Sequence, residues 1–564
     1  MSGGAERGDA PAGPGLPPAP AAEPPPHDPV APPAGPLTAP TPGSRATVDA
    51  LAAFVVEEAG PPIDLWAITA LLESGGVRDR DAVADHGQRD VFALARAVQQ
   101  RLPAAEPRVA QPEPIPPLRA RVERYARIYG RGTFFFLPLA LQLLSLLVIG
   151  ISQFAALHFT NTQASVVAVA TSLSFVATSG FIQGLGYVAP IYIESGKHLL
   201  ARAVVWRVVG LGAVAAAIIG AIVFGLAAAT HAYPAHELRV GAAYYALLTA
   251  QGLVGALLYM LRRFALILAA TLVALVVVGL LYKHTSLRVE QINWIGLGVG
   301  VAIQLGVAVV VLNRRAVGTR GDMRLARLPR ARLLVRRALP FGVYGVVYFT
   351  FLTADRMIAW ASGSNPLPLW FRAPYEIGLD IALAAIVFAL AFLEITVENF
   401  SAMLVPTAER VGVGSIREFN RAVSRFWARQ LAYVGALAAL GTLGATALLV
   451  FLHRLGALGP IHKLYDDPVA HRVFGLGVLA YAFLAVGIAN SVFLLSLNRP
   501  WRAIASIAPG LVVNIAVGIA LTAGHAYWTA VIGAVAGSIV FAALSGAQAW
   551  RTLRRADYHN YAAW

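Results

Sequence analysis

The chain has 564 residues, of which 57% are hydrophobic and 13% charged; soluble domains carry about 25% charged residues, so this is a polytopic membrane protein. It has no Cys, which excludes disulfides, Cys-based zinc sites and thiol catalysis. The net charge of +15 is mostly Arg lying between apolar runs, so orientation in a membrane accounts for it and no nucleic-acid partner is implied.

Residues 1–45 are Pro, Ala and Gly with no apolar core of signal-peptide type, which predicts a disordered, cytoplasmic N-terminal tail. Residues 46–104 differ. The stretches ATVDALAAFVVEEA, IDLWAITALLESGG and DVFALARAVQQRL have helical apolar spacing, and VRDRDAVADHGQRD reads as a short capped helix plus turn. This predicts a small cytoplasmic helical module for packing or docking. Asp79, Asp81 and Asp85 near His86 are its weak metal-like grouping. Residues 105–132 hold the Pro-rich linker QPEPIPP and the basic juxtamembrane helix LRARVERYARIYGRG, suited to anionic headgroups.

Apolar runs long enough to span fall near 134–157, 165–193, 203–228, 240–261, 264–282, 291–312, 340–361, 377–404, 431–452, 473–496, 501–522 and 526–549. With the N-terminus inside, the inner connections are ESGKHLLAR, LRR, the 313–339 linker, the 406–430 loop, LNRPW and RTLRRADYH, all basic. The outer ones, such as HFTNTQ, HAYPAHEL and GHAY, are short and hold few Arg or Lys, with 453–472 the least tidy. This alternation predicts twelve spans with both termini inside. The expected class is all-α: a first six-helix half at 133–313, a basic cytoplasmic linker at 314–338, a second half at 339–550 and a cytoplasmic tail at 551–564. The stretch 313–337 carries nine Arg and one Asp, and no residue-level repeat relates the halves. In the 406–430 loop, Arg417, Arg421, Arg425 and Arg429 share one helical face while Phe419, Val423, Phe426 and Trp427 fall mainly on others, which predicts an interfacial amphipathic helix.

Glycine pairs Gly180/Gly184, Gly441/Gly444 and Gly533/Gly537 suit close helix packing in lipid. In SGFIQGLGYVAP, Gly184, Gly186 and Pro190 can loosen the helix, with Gln183 and Tyr187 facing a polar cavity. The densest chemistry lies in 336–403, two spans joined by a short Pro-rich turn. The first carries Asp355 and Arg356; the second carries Glu376, Asp380, Glu394 and Glu398. A charge at a helix centre costs about 2.5–3.5 kcal/mol on insertion scales, so intramembrane charges are functional candidates. Span direction places Glu376 and an outer cluster of Asp355, Arg356, Arg372 and Asp380 at one level. That cluster is either a salt-bridge set holding the hairpin or an outer gate or cation site. Glu394 lies about 26 Å along its span, at about 1.5 Å per residue, and is a proton-coupling candidate or a partner for Arg207. Glu398 is nearer the inner surface. No P-loop, GxSxG, HExxH or CxxC motif is present, which argues against an enzyme.

The stretches TADRMIAW, PLPLWFRAPYEIGLDIALA, LEITVENFSAML and SIREFNRAV, with GFIQGLGYVAPIYIESG in span two, resemble the PelG-like exopolysaccharide exporters of the multidrug/oligosaccharidyl-lipid/polysaccharide (MOP) exporter superfamily. By this resemblance Asp355 and Arg356 match an Asp-Lys pair, and Glu398 and Phe400 approximate a helix-end Glu-Thr-Asp-Phe motif. Arg356 departs from Lys, Leu393 and Thr396 stand where a basic residue is expected, and the 46–104 module is extra. The resemblance covers roughly 130–550. It implies export or flipping of a polysaccharide or lipid-linked glycan by alternating access in a bacterial inner membrane. Its expected partners are the bilayer, the glycan and polysaccharide biosynthesis proteins. It needs no cofactor, with a proton or sodium ion as the candidate coupling ion. The alternatives are a cation-coupled small-molecule efflux transporter of the MATE type, an integral membrane glycosyltransferase or polymerase, and a scaffold protein.

Overall fold

The computed structural model describes residues 48–59, 65–74, 77–102, 158–194, 198–317, 331–363, 365–410, 416–454 and 466–561, with Gly456 and scattered positions between 119 and 156. The predicted N-terminal tail, most of the 105–132 segment and the middle of the 314–338 linker lie outside the described residues. The chain divides into two units, Met1–Glu113 and Pro114–Trp564.

The first unit contains α1 (Val48–Ala59), α2 (Leu65–Ser74), α3 (Asp79–His86) and α4 (Val91–Arg101). Their apolar faces meet in a small core that includes Leu51, Val55, Ile68, Leu72, Leu94 and Val98. Gly87 ends α3 in the left-handed region at φ 65°, where a residue without Cβ is unstrained. Asp90 then caps α4 by accepting from Ala93 N at 2.6 Å. The acidic residues near His86 have structural partners here. Asp79 Oδ1 accepts from Val91 N at 2.9 Å, and Asp81 Oδ2 accepts from Arg78 N and Nε at 3.1 Å.

The second unit is helical throughout its named elements. In order these are α5 (Asn161–Glu194), α6 (His198–Ala229), α7 (Ala235–Met260), α8 (Phe264–His284), α9 (Val289–Val317), α10 (Ala331–Ala361), α11 (Ala373–Arg410), α12 (Ile416–Arg454), α13 (Pro468–Ser496), α14 (Pro500–Gly524), α15 (Ala530–Leu553) and α16 (Ala556–Tyr561). Eleven helices among the described residues are long and apolar enough to cross a membrane. They match the last eleven predicted spans. Most of the first, 134–157, lies outside the described residues, although its described positions Leu137, Pro138, Leu141, Gln142, Ser145, Leu146 and Ile149 are helical. On α6, Leu211, Val214, Ile218, Ile222 and Leu226 all point outward, as do Leu440, Leu443, Leu448 and Phe451 on α12. Such apolar faces belong against lipid, where a helix satisfies its own backbone.

One boundary differs from expectation. The 406–430 segment was expected to be a loop with a separate interfacial helix, but α11 runs on to Arg410 and α12 runs unbroken for 39 residues from Ile416. The reason is packing: Phe419, Val423 and Phe426 bury themselves with Phe400, Phe493, Leu497, Leu553 and Ala556, while Arg417, Arg421, Arg425 and Arg429 stay exposed on the opposite face. α5 continues through Pro190 to Glu194, in keeping with the span read near 165–193.

A local repeat relates the two halves. Leu261, Arg262 and Arg263 join α7 to α8, as Leu497, Asn498 and Arg499 join α13 to α14. The middle residues are left-handed, at φ 56° for Arg262 and 54° for Asn498. The third residues have φ −104°, ψ 50° and φ −116°, ψ 53°. Their N–H groups reach back to Leu258 O and Leu494 O, each at 2.8 Å. Only Leu and Arg are shared between the two tripeptides, so the repeat is in backbone shape more than in sequence.

Candidate functional site

The centre of the site is Arg356, near the C-terminal end of α10, one turn and a half before the 362–372 connection. That connection turns the chain back into α11, so Glu376 and Asp380, one turn apart, come level with Arg356. Arg356 Nη1 donates to Glu376 Oε2 at 2.8 Å, and Nη2 donates to Asp380 Oδ1 at 3.4 Å and to the Tyr481 hydroxyl on α13 at 3.3 Å. Trp360 Nε1 donates to the other oxygen of Glu376 at 2.9 Å. Glu376 is buried, while the Asp380 side chain is 48% exposed. One guanidinium thus carries two carboxylates, one sealed and one open.

Asp355 faces a different way. It is 4% exposed and accepts from the Tyr375 hydroxyl through Oδ2 at 2.8 Å. It also lines a narrow pocket with Tyr481, Phe351, Leu379, Leu484 and Ser538. Tyr481 therefore touches both the Arg356 group and the Asp355 pocket. In a low-dielectric interior, such paired and hydrogen-bonded charges persist only when nearly every polar atom is satisfied.

Arg372, expected in the carboxylate cluster, lies elsewhere. Its Nη2 donates to Ser362 O at 3.0 Å and to Asn365 Oδ1, and its guanidinium sits 4.7 Å from the Tyr527 ring centroid. It closes the 362–372 connection instead of meeting Asp380. Glu376 pairs with Arg356. Tyr481, Trp360 and Tyr375 complete the group, and none was selected from sequence. Tyr481 lies more than a hundred residues from Arg356 in an ordinary apolar span. The hints at the other two were an aromatic one turn after Arg356 and another directly before Glu376.

Gln183 and Tyr187 stand where α5 crosses α10. Tyr187 stacks on Phe341 with ring centroids 3.9 Å apart. Gln183 lies over Gly345, where an added Cβ would come within 2.6 Å of Gln183 Cγ. These contacts place both side chains, half-buried, at a helix crossing, where the expectation from sequence was a polar cavity. Gly180 and Gly342 meet at the same crossing. Arg207 is exposed on α6. Glu394 and Glu398 belong to α11, and their side chains lie outside the described residues.

The end that carries this group also ties the first half to the second. Tyr233, in the α6–α7 connection, donates to Leu369 O at 3.0 Å and accepts from Leu369 N at 3.2 Å. Ser165 Oγ on α5 accepts from Phe371 N at 2.9 Å. Burial pushes the Tyr233 phenol above its ordinary range, against the opposing effect of the Leu369 backbone bond, so it remains neutral around pH 7.

Among solved structures, the chain is similar to the "MATE transporter ClbM in complex with Rb+", at 16% identity and a TM-score of 0.47, covering 78% of this chain and 98% of that one. It is also similar to the "eukaryotic MATE transporter AtDTX14", at 15% identity and a TM-score of 0.49, covering 78% and 99%. No protein-family model matches the chain, and no curated protein matches it.

Proposed function

We propose that the protein is an alternating-access membrane transporter that exports or flips a polysaccharide or lipid-linked glycan. The observation that carries this reading is the Arg356–Glu376–Asp380 group at one end of a spanning bundle, beside the hydrogen bonds of Tyr233 and Ser165 that tie the two halves together there. A charged group joining two spans at one level is suited to a gate, because its partners can separate only when water enters to solvate them. The repeated turn between the halves supports a body whose halves rock about a central site. The glycan cargo rests on the PelG-like resemblance of the segments around Asp355, Arg356 and Glu398.

A second reading, a cation-coupled small-molecule efflux transporter of the MATE type, is favoured by the Asp355 pocket. A single buried carboxylate in a narrow pocket, hydrogen-bonded by Tyr375 and flanked by Tyr481, has the scale of a small cation and not of a sugar chain. One experiment separates the two. In a strain lacking the gene, surface polysaccharide and dye accumulation are measured before and after complementation with the natural chain and with Asp355→Asn. Lost polysaccharide restored by the natural chain supports glycan export. Unchanged polysaccharide with raised dye accumulation, uncorrected by Asp355→Asn, supports the second reading. No change in either removes both.

A further inference from the structure

At the other end of the bundle, the start of α14, the end of α15 and α16 surround a cavity of about 700 Å³ lined by Arg502, Trp550, Arg551, Arg554, Arg555 and His559. The corner that builds it is pinned from below. Leu553 and Ala556 are buried among Phe426, Phe493 and Leu497, so the short bend between α15 and α16 is fixed by packing. Arg502 enters from the first turn of α14 and is held by a hydroxyl and an imidazole: its Nη1 donates to Thr552 Oγ1 at 2.6 Å and lies 3.5 Å from His559 Nε2. Arg554 covers the Trp550 ring at 4.7 Å. Arg551 and Arg555 are four residues apart and exposed.

Four guanidinium groups therefore line one concavity. Among the described residues no Asp or Glu lines it, and no carboxylate forms an ion pair with any of the four. Orientation in a membrane requires only that the connections at this end be basic, which scattered Arg would satisfy. It does not require a concave arrangement, or one arginine positioned by a buried threonine. A planar guanidinium fork matches phosphate oxygens in a bidentate way, and a cavity of this size accommodates one such group. The geometry points to a binding site for an anionic phosphate group, borne either by a lipid headgroup or by a soluble phosphate. This inference is independent of the transport reading.

The test uses the full chain purified in neutral detergent, with two probes: phosphatidylglycerol retained in native mass spectrometry and inorganic phosphate titrated calorimetrically. The expected result is binding of at least one probe, weakened about ten-fold or more in Arg551→Gln/Arg555→Gln, which loses two charge-assisted hydrogen bonds. Arg417→Gln/Arg421→Gln, which removes equal charge from the exposed face of α12, should bind like the natural chain. Selective loss of the lipid identifies a headgroup site; selective loss of inorganic phosphate identifies a soluble ligand. If the pocket variant does not fold to a monodisperse species, Arg554→Gln replaces it. Unchanged binding in the pocket variant, equal loss in the α12 variant, or no binding of either probe by the natural chain overturns the proposal.

Discussion

Arg356 is the residue on which the site depends, and its removal should cost more than that of either carboxylate. In Arg356→Gln, Glu376 stays buried with Trp360 as its remaining donor. Leaving one member of a buried pair alone costs about 3–5 kcal/mol, so thermal unfolding in detergent should show a marked loss of stability. Adding Glu376→Gln to that variant should recover part of it, because the orphaned charge is gone; no recovery would mean that Arg356 acts by packing. Tyr375→Phe removes the hydroxyl that donates to Asp355 and should cost about 1–3 kcal/mol in the same assay. The sequence showed the level of these charges but not their pairing. Arg356 and Arg372 flank the same turn, and either can reach α11. The choice is made by Tyr481 from α13 and by Tyr527 beneath Arg372, and both are tertiary neighbours with no local signature.

Between elements, the close crossing of α5 and α10 sets how the halves meet. A Cβ on Gly345 would sit 2.6 Å from Gln183 Cγ and 2.7 Å from Ser179 O. The side chain can move aside, but the backbone oxygen can yield only if the helices part. Gly345→Ala should therefore destabilise by about 1–3 kcal/mol, as overpacking does. Gly186→Ala on α5 is the matched control. Nothing lies within 4 Å of its added methyl, and alanine in a helix should stabilise by about 0.5–1 kcal/mol. Equal melting temperatures for the two variants would show that the crossing is loose. The small-residue spacing of α5 was legible in sequence; its partner was not, since Gly342 and Gly345 lie in an unremarkable apolar run. The continuity of α12 was legible in part. The Arg and Phe faces are readable, and no Pro interrupts Ile416–Arg454, yet the density of charge in the basic stretch has the composition of a loop.

For the whole molecule, hydropathy was enough to place the last eleven spans, because a helix in lipid must be both long and apolar, and few other structures satisfy those two demands. What hydropathy does not supply is direction, which rests on the distribution of Arg. A protein without Cys makes this testable, since any introduced thiol is the only one to react. Thr285 lies in the connection between α8 and α9, and Asn498 in the repeated turn between α13 and α14; both are exposed. With the basic connections inside, Thr285→Cys in intact cells should react with a membrane-impermeant maleimide, and Asn498→Cys should react only after the membrane is opened. Ser362→Cys, at the end of α10 beside the Arg356 group, should label from the same side as Thr285→Cys. The reverse pattern would place the Arg356 group at the inner face and the arginine-lined cavity outside. Labelling of both Thr285→Cys and Asn498→Cys from one side would instead mean an even number of crossings between them, which the five helices from α9 to α13 cannot provide without one failing to span. The experiment therefore tests the direction of the bundle and its span count together.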